Sequence, residues 1–323
     1  MYDTINLEKG LYSITGKNFT QALAELDPDS QYENTELKGL DAYERQLKRF
    51  DIKVSGKNSD KVEKFFLSTQ SAVLFPEYVR RTIKKGMDDA SITGEIVGAV
   101  SYTDSADFRG LTLDAQSGGA VSEGGDLPVT TVRLSSSSKA LTKFARKLSC
   151  SYESIRKQRL EAFGVILRSL GSAVAKEVNA LCISEITKGV SPSTISGTEI
   201  TYADLAGFWS SMNDCDMTTM VCSPSVMAKI LSLDEMKYCI SDYMTSGMVK
   251  TPYGVTIVKC PQATENTIVG IDKNCAAEMV FGTDVIVDAD KLISTQCNEI
   301  SCSVTVGFSV LTNGAVKVLR TAK

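Results

Sequence analysis

Apolar residues recur at helical spacing through one long central stretch. From Leu160 the series Phe163, Leu167, Leu170, Val174, Val178 and Leu181 advances in steps of three and four, which predicts one helix over Ser151–Thr187 with a single apolar stripe. A helix of about 35 residues would run roughly 50 Å, a spine beside the ordinary length of about 11–12 residues. Gly164 and Gly171 either weaken it by about 1 kcal/mol each or admit close packing, and Gly189 and Pro192 end it. The chain before the spine is polar and broken. Short helices are predicted at Asn18–Leu26 and Asn34–Phe50, separated by Asp27-Pro28-Asp29. Residues 1–65 cannot bury a core alone and are expected as an arm or a packing appendage. Phe65–Met87 is richer in apolar residues, and Pro76 is expected to open a helix there. That helix would set Tyr78, Val79 and Ile83 opposite Arg80, Arg81, Lys84 and Lys85.

After the spine, short strands and helices alternate. Thr201-x-x-Asp204 resembles a capping box, and Ser223-Pro224 caps and opens a further helix. Strands are predicted at Thr218–Cys222, Tyr253–Lys259, Thr267–Ile271, Met279–Phe281, Val285–Val287, Ile300–Leu311 and Ala315–Leu319. Thr93–Ser135 stands apart, with 7 of the 23 glycines and no helical period. Its ends, Glu95–Tyr102 and Val129–Leu134, are predicted strands around the glycine-rich Gln116–Asp126. So long an excursion without its own core is uncommon in a compact domain. Either it is disordered or it is an extended hairpin that finds its partner on another subunit. The two β-ends favour the hairpin, which is only marginally stable by itself.

Composition narrows the function. The 323 residues contain no histidine, which removes Ser-His-Asp and Cys-His hydrolases and His-based metal sites together. A net charge of −4 makes no case for a whole-chain nucleic-acid binder. Nine cysteines include no C-x-x-C pair, and Met1–Gly10 has no apolar core of a secretory signal. They are read as reduced, mostly buried thiols in a cytosolic setting. No stretch approaches the length of a membrane span.

Ser154-x-x-Lys157, with Ser241-Asp242-Tyr243 and Lys250-Thr251-Pro252, loosely matches a lysine-assisted serine acylase. Ser136-x-x-Lys139 matches the first motif equally, and Pro252 replaces the glycine of the third, so solvated helix residues are the better reading. Asp214-x-Asp216 and Asp288-x-Asp290 lack the glycine and glutamate of a calcium loop and are better read as turn acids. Lys139–Arg168 carries eight basic residues against Glu153 and Glu161. This is either a solvated face or an inter-subunit ion-pair surface meeting Glu123 and Asp126.

The order of parts resembles the major capsid proteins of tailed bacteriophages, with the Hong Kong ninety-seven-like fold. The stretches that carry the resemblance are AVSEGGDLPVTTVRLSSSSKALTKFARKLSCSYE (120–153), TPYGVTIVKCP (251–261) and SVTVGFSVLTNGAVKVL (303–319), and it covers roughly residues 65–320. The resemblance implies an α+β fold with an N-terminal arm over 1–90 and an extended loop over 91–138. It further implies a peripheral domain from 139–190 and 272–306 that holds the spine helix, and an axial domain from 191–271 and 307–323. The implied function is a major capsid protein that self-assembles as pentamers and hexamers into an icosahedral shell around phage double-stranded DNA. An encapsulin-like nanocompartment shell enclosing cargo enzymes is the alternative, and the serine acylase a remote one. The implied protein is no enzyme, has no catalytic, metal or cofactor-binding residues, and is a homo-oligomer. Scaffold, portal and decoration proteins are possible partners, DNA is packaged without sequence-specific contact, and no membrane is involved. Assembly is expected in the host bacterial cytoplasm and residence in the virion capsid. The chain opens at Met1, from which a retained arm is expected. Candidate inter-subunit contacts are Glu123, Asp126, Arg133, Arg146, Lys147, Arg156, Lys157 and Arg159.

Certain members of that family cross-link neighbours through a loop lysine. Thr93–Ser135 has no lysine, only Arg109 and Arg133. Assembled particles are therefore expected to run as monomers on a boiled denaturing gel, and a covalent ladder would contradict this.

Overall fold

The computed structural model describes residues 2–14, 17–113, 120–129, 131–239, 243–244, 248–292, 294–312 and 314–321. In chain order its helices and strands begin with α1 (Phe19–Leu26), α2 (Ala42–Arg49) and α3 (Thr69–Ala90). The excursion follows, with β1 (Ala99–Tyr102), β2 (Asp107–Phe108), β3 (Leu111–Leu113), β4 (Val132–Leu134) and β5 (Lys139–Ala140). Then come β6 (Thr142–Ser151), α4 (Tyr152–Lys157), α5 (Leu160–Thr187), β7 (Ser193–Thr194) and α6 (Tyr202–Ser210). After these are β8 (Thr219–Cys222), α7 (Pro224–Leu231), β9 (Val249–Lys250), β10 (Thr256–Lys259) and β11 (Thr267–Ile271). The chain closes with β12 (Ala277–Leu292), β13 (Cys297–Val310) and β14 (Val316–Arg320). Residues divide into two compact units: Met1–Ala90, Ala145–Val174 and Val285–Ser303 in the first, and Ser91–Phe144, Ala175–Asp284 and Val304–Lys323 in the second.

The first unit is organised by α3 and the start of α5. Helix α3 begins at Thr69, seven residues before Pro76, so this proline lies inside the helix rather than opening it. The predicted 151–187 helix is two helices: the chain turns extended at Gln158, and α5 restarts at Leu160. The turn is anchored by Val62 N–H donating to the Gln158 carbonyl at 3.0 Å and Leu160 N–H to that of Asp60 at 2.8 Å. Leu160, Phe163, Leu167 and Val174 are buried as the stripe requires, but Leu170 is half-buried. Gly171 takes the deep position instead. A β-carbon there would stand 2.1 Å from the Ile83 carbonyl oxygen, and one at Gly86 would stand 2.2 Å from that of Arg168. The helices therefore meet backbone to backbone, which only glycine permits.

The described residues before α3 belong to the same unit, and Tyr12, Thr20 and Tyr43 donate hydrogen bonds to α3. Asn18 and Asp41 cap α1 and α2 with reciprocal capping boxes, and residues 34–41, expected as the first part of a helix, lead into the second cap instead. Arg45 is fully buried; it donates to Asp27 Oδ2 at 2.6 Å, to the Asp27 carbonyl at 2.6 Å and to Asp29 at 2.9 Å, and lies over the Tyr32 ring. Glu77 is also fully buried and accepts from Thr20 at 2.7 Å, Arg80 at 2.8 Å and Arg81 at 2.7 Å. The predicted basic face of α3 is thus partly turned inward, onto a carboxylate of the same helix.

The second unit is built on a six-stranded mixed sheet of order β7-β14-β11-β8-β10-β9. Leu205 and Phe208 of α6 and Val226 and Ile230 of α7 pack over Met220, Cys222, Ile257, Ile268 and Leu319. β8 and β11 are buried at every position, which explains their unbroken apolar runs. Ser223 and Thr201 cap α7 and α6 as expected. The separate strands expected at 279–281 and 285–287 are one strand, β12, in a sheet of order β1-β12-β13-β6. β1 pairs in parallel with it, Ala99 opposite Glu278, and takes no part in the excursion's hairpin. The hairpin is narrower than expected: Leu111–Leu113 pairs with Val132–Leu134, and Asp107–Phe108 with Lys139–Ala140. Most of the glycine-rich Gln116–Asp126 is described only from Ala120 onward, and residues 116–119 lie outside the described residues.

Two substitutions test the helix crossing by opposite signs. Gly171→Ala is expected to destabilise by about 1–3 kcal/mol through overpacking against Ile83. Gly207→Ala in α6, where nothing lies within 4 Å of the added carbon, is expected to stabilise by up to about 1 kcal/mol. Denaturant midpoints read both.

Burial alone would raise the Glu77 carboxyl, but hydrogen bonds from Arg80, Arg81 and Thr20 outweigh it and hold the group below its ordinary value. Its stabilisation is therefore present above the ordinary carboxylate range and lost as pH falls through the folded-state value. Glu77→Gln is expected to cost about 3 kcal/mol at neutral pH and to flatten the acid limb of stability, followed by denaturant melts across pH.

Candidate assembly surfaces

Among the described residues, a run of exposed apolar side chains lies on the excursion. In the hairpin Leu111 stands opposite Leu134, and both are exposed. Beyond it Leu127 is 76% and Val129 82% exposed, and Val121 and Val132 are also exposed. A two-stranded ribbon with apolar side chains in water gains little from folding. Its root, by contrast, is held within its own unit. Lys139 donates to Glu185 at 2.9 Å and to the Phe308 carbonyl at 3.1 Å. Phe108 lies over Gly307, where a β-carbon would stand 2.4 Å from its ring. The root is fixed, and the described apolar side chains beyond it are not covered.

A second apolar surface lies beside the edge strand β9. Met227, Leu231, Met236, Met248 and Ile257 line an open groove of about 710 Å³, and Tyr238 and Met244 are highly exposed next to it. On the first unit, Val165 and Ile166 of α5 and Leu67 are exposed.

The ionic candidates divide between the units. Glu123, Asp126 and Arg133 are exposed on the second, and Arg146, Lys147, Arg156, Lys157 and Arg159 on the first. Lys147 already pairs with Glu299 at 2.8 Å, and Arg159 donates to the Lys57 carbonyl at 2.9 Å. Exposed pairs of this kind are worth about 0–1 kcal/mol each.

Among the described residues, Ser154 bonds only within its own turn, to Ser151. Its hydroxyl donates to the Ser151 carbonyl at 3.0 Å within the cap of α4. Ser241 and Asp242 lie outside the described residues. Asp214, Asp216, Asp288 and Asp290 are exposed. The cysteines are free thiols. Burial pushes Cys182 and Cys222 up to about 12 and Cys302 to about 11, so these are inert core residues.

Two clusters had no signal in the spacing of the sequence. One is the Arg45–Asp27–Tyr32 network, whose members are brought together by a turn. The other is Cys215, Asp272 and Cys275, whose ligand atoms all lie within 4.8 Å of one another. Among the described residues, no helix is long and apolar enough to cross a membrane.

A family model described as phage capsid protein matches residues 135–291. No curated protein matches the chain by sequence. Solved structures similar to it include a virus-like particle from Pyrococcus furiosus, at 16% identity and a TM-score of 0.55, covering 76% of this chain and 98% of that one. The capsid of a native GTA particle follows at 12% identity and 0.51, covering 72% and 91%. The capsid of Cyanophage P-SCSP1u gives 14% identity and 0.51, covering 71% and 88%. The matched family region takes in β5, β6, both helices of the spine, β7 to β11 with α6 and α7, and nearly all of β12. Residues 135–291 of the chain thus match the phage capsid protein family by sequence, and the fold is that of Hong Kong ninety-seven-like capsids.

Proposed function

We propose that copies of this major capsid protein assemble, as pentamers and hexamers, into a closed icosahedral shell around double-stranded DNA. The observation that carries the reading is the excursion, anchored at Phe108 and Lys139 but with Leu111, Val121, Leu127, Val129, Val132 and Leu134 uncovered. Only a surface outside the chain remains to bury it, and in a homo-oligomer that surface belongs to the next copy. A closed shell repeats each modest contact many times, so no single interface need exceed about 1,200–2,000 Å².

In this reading 91–138 is the extended loop and the six-stranded sheet belongs to the axial domain, near the capsomer axes. The spine helix belongs to the peripheral domain. Exposed Glu123 and Asp126 on the loop meet Arg156 and Lys157 of a neighbour and help set register. Arg133 and Arg146 contribute to the same contacts, while Lys147 and Arg159 are engaged within their own copy. The net charge of −4 suits a wall that holds DNA without gripping it. Assembly takes place in the host cytoplasm, with scaffold, portal or decoration proteins as further partners. The similarity to the Pyrococcus furiosus virus-like particle favours one second reading, an encapsulin-like shell around cargo enzymes. The contents of purified particles, nucleic acid or protein, separate the two.

The double variant Leu127→Asp, Val129→Asp is expected to melt within about 0.5 kcal/mol of the parent chain, because both side chains are exposed. It should nevertheless remain as capsomers or monomers by negative-stain microscopy and light scattering. Normal shells from this variant would remove the loop from assembly.

A further inference from the structure

At one end of the six-stranded sheet, two loops bring three metal-ligating side chains together. β8 and β11 are antiparallel neighbours with Thr219 opposite Ile271, so the loop entering β8 and the loop leaving β11 meet. Cys215 lies in the first loop, and Asp272 and Cys275 in the second. Backbone hydrogen bonds lace the loops. Thr218 N–H donates to the Ile271 carbonyl at 3.0 Å, Lys273 N–H to Thr218 Oγ1 at 2.9 Å and Ala276 N–H to the Asp272 carbonyl at 2.9 Å. The Asp272 carboxylate is held at both ends, Oδ2 accepting from Asp216 N–H and Oδ1 from Asn274 N–H, each at 3.1 Å. The site is therefore shaped by the fold before any ligand arrives.

The spacing distinguishes between two uses of a cysteine pair. The two sulfurs are 3.9 Å apart. A disulfide requires about 2.05 Å. Two thiolates each about 2.3 Å from one tetrahedral cation stand about 3.8 Å apart. Asp272 is buried, and each of its oxygens keeps a lone pair beyond the amide it already accepts. Backbone bonds of this kind are the outer support that metal-binding carboxylates use. As a free thiol Cys275 is a poor nucleophile: burial first, then Asp272 and Cys215, push it up to about 12.

We propose that Cys215, Asp272 and Cys275 bind one soft divalent cation of the zinc type, with water in the fourth position. Each thiol gives its proton to solvent as its sulfur bonds the metal, so two protons leave per ion and nothing is oxidised or reduced. The ion ties together loops 57–60 residues apart in sequence and closes the end of the sheet. No C-x-x-C spacing announces it, because the ligands come from two loops and the third is a carboxylate.

The test uses the full-length chain, reduced, stripped with chelator and desalted, then titrated with Co²⁺ and Cd²⁺. Thiolate-to-metal charge-transfer absorption is expected to saturate at one ion per chain, with a raised melting temperature. Cys215→Ser, Cys275→Ser and Asp272→Asn should each weaken binding at least tenfold, while Cys239→Ser, outside the cluster, should not. A wild-type measurement stands beside these in case a variant fails to fold. Zn²⁺ should slow maleimide labelling of Cys215 and Cys275, but not of Cys150, by peptide mass spectrometry. The proposal is overturned by absence of the charge-transfer band, by labelling indifferent to Zn²⁺, by binding that survives both serine variants, or by a Cys215–Cys275 disulfide in the protein as purified.

Discussion

Where α3 crosses α5, main chain touches main chain. Gly86 lies against Arg168 and Gly171 against Ile83, a reciprocal pair of contacts that excludes any side chain larger than hydrogen. Close approach of this kind lets the buried faces of the two helices interlock along their length. Phe75 stacks on Phe163, and the Tyr78 hydroxyl donates to the Leu160 carbonyl at 2.6 Å. The remainder of the first unit is assembled onto this crossing. The residues before α3 attach through Glu77 and Tyr43, and the turn into α5 attaches through residues 60–62.

The polar centre of the N-terminal region follows from the same economy. Beside the buried Leu7, Phe19, Leu23, Tyr43 and Leu47, this region is held by ion pairs and capping boxes. A buried guanidinium is tolerable at Arg45 because three oxygens, from Asp27 and Asp29, accept from it and the Tyr32 ring covers its face. Such a network stabilises less than an apolar core of the same size but permits few alternative packings.

The second unit joins a well-buried sheet to an extension that buries almost nothing. Strands β8 and β11 are covered on both faces, whereas Leu127, Val129 and Leu134 stand in water. In the proposed shell, another copy of the same protein covers them.

Much of this was determined by the sequence alone. Local signals came through wherever the physics was local: the helix over Asn18–Leu26, the caps at Thr201 and Ser223, the apolar runs of β8 and β11, and the stripe through Leu160, Phe163, Leu167 and Val174. The absence of histidine argued against His-based hydrolases and metal sites, and the order of the parts resembled that of the phage capsid proteins. Tertiary structure decided what depends on residues far apart. It broke the spine at Gln158, because residues 60–62 capture the backbone there. It began α3 ahead of Pro76, turned Glu77 and Arg45 inward, gave β1 to β12 instead of to the hairpin, and drew Cys215 to Asp272 and Cys275. Periodicity records which residues share a face, but only the folded chain specifies what that face meets.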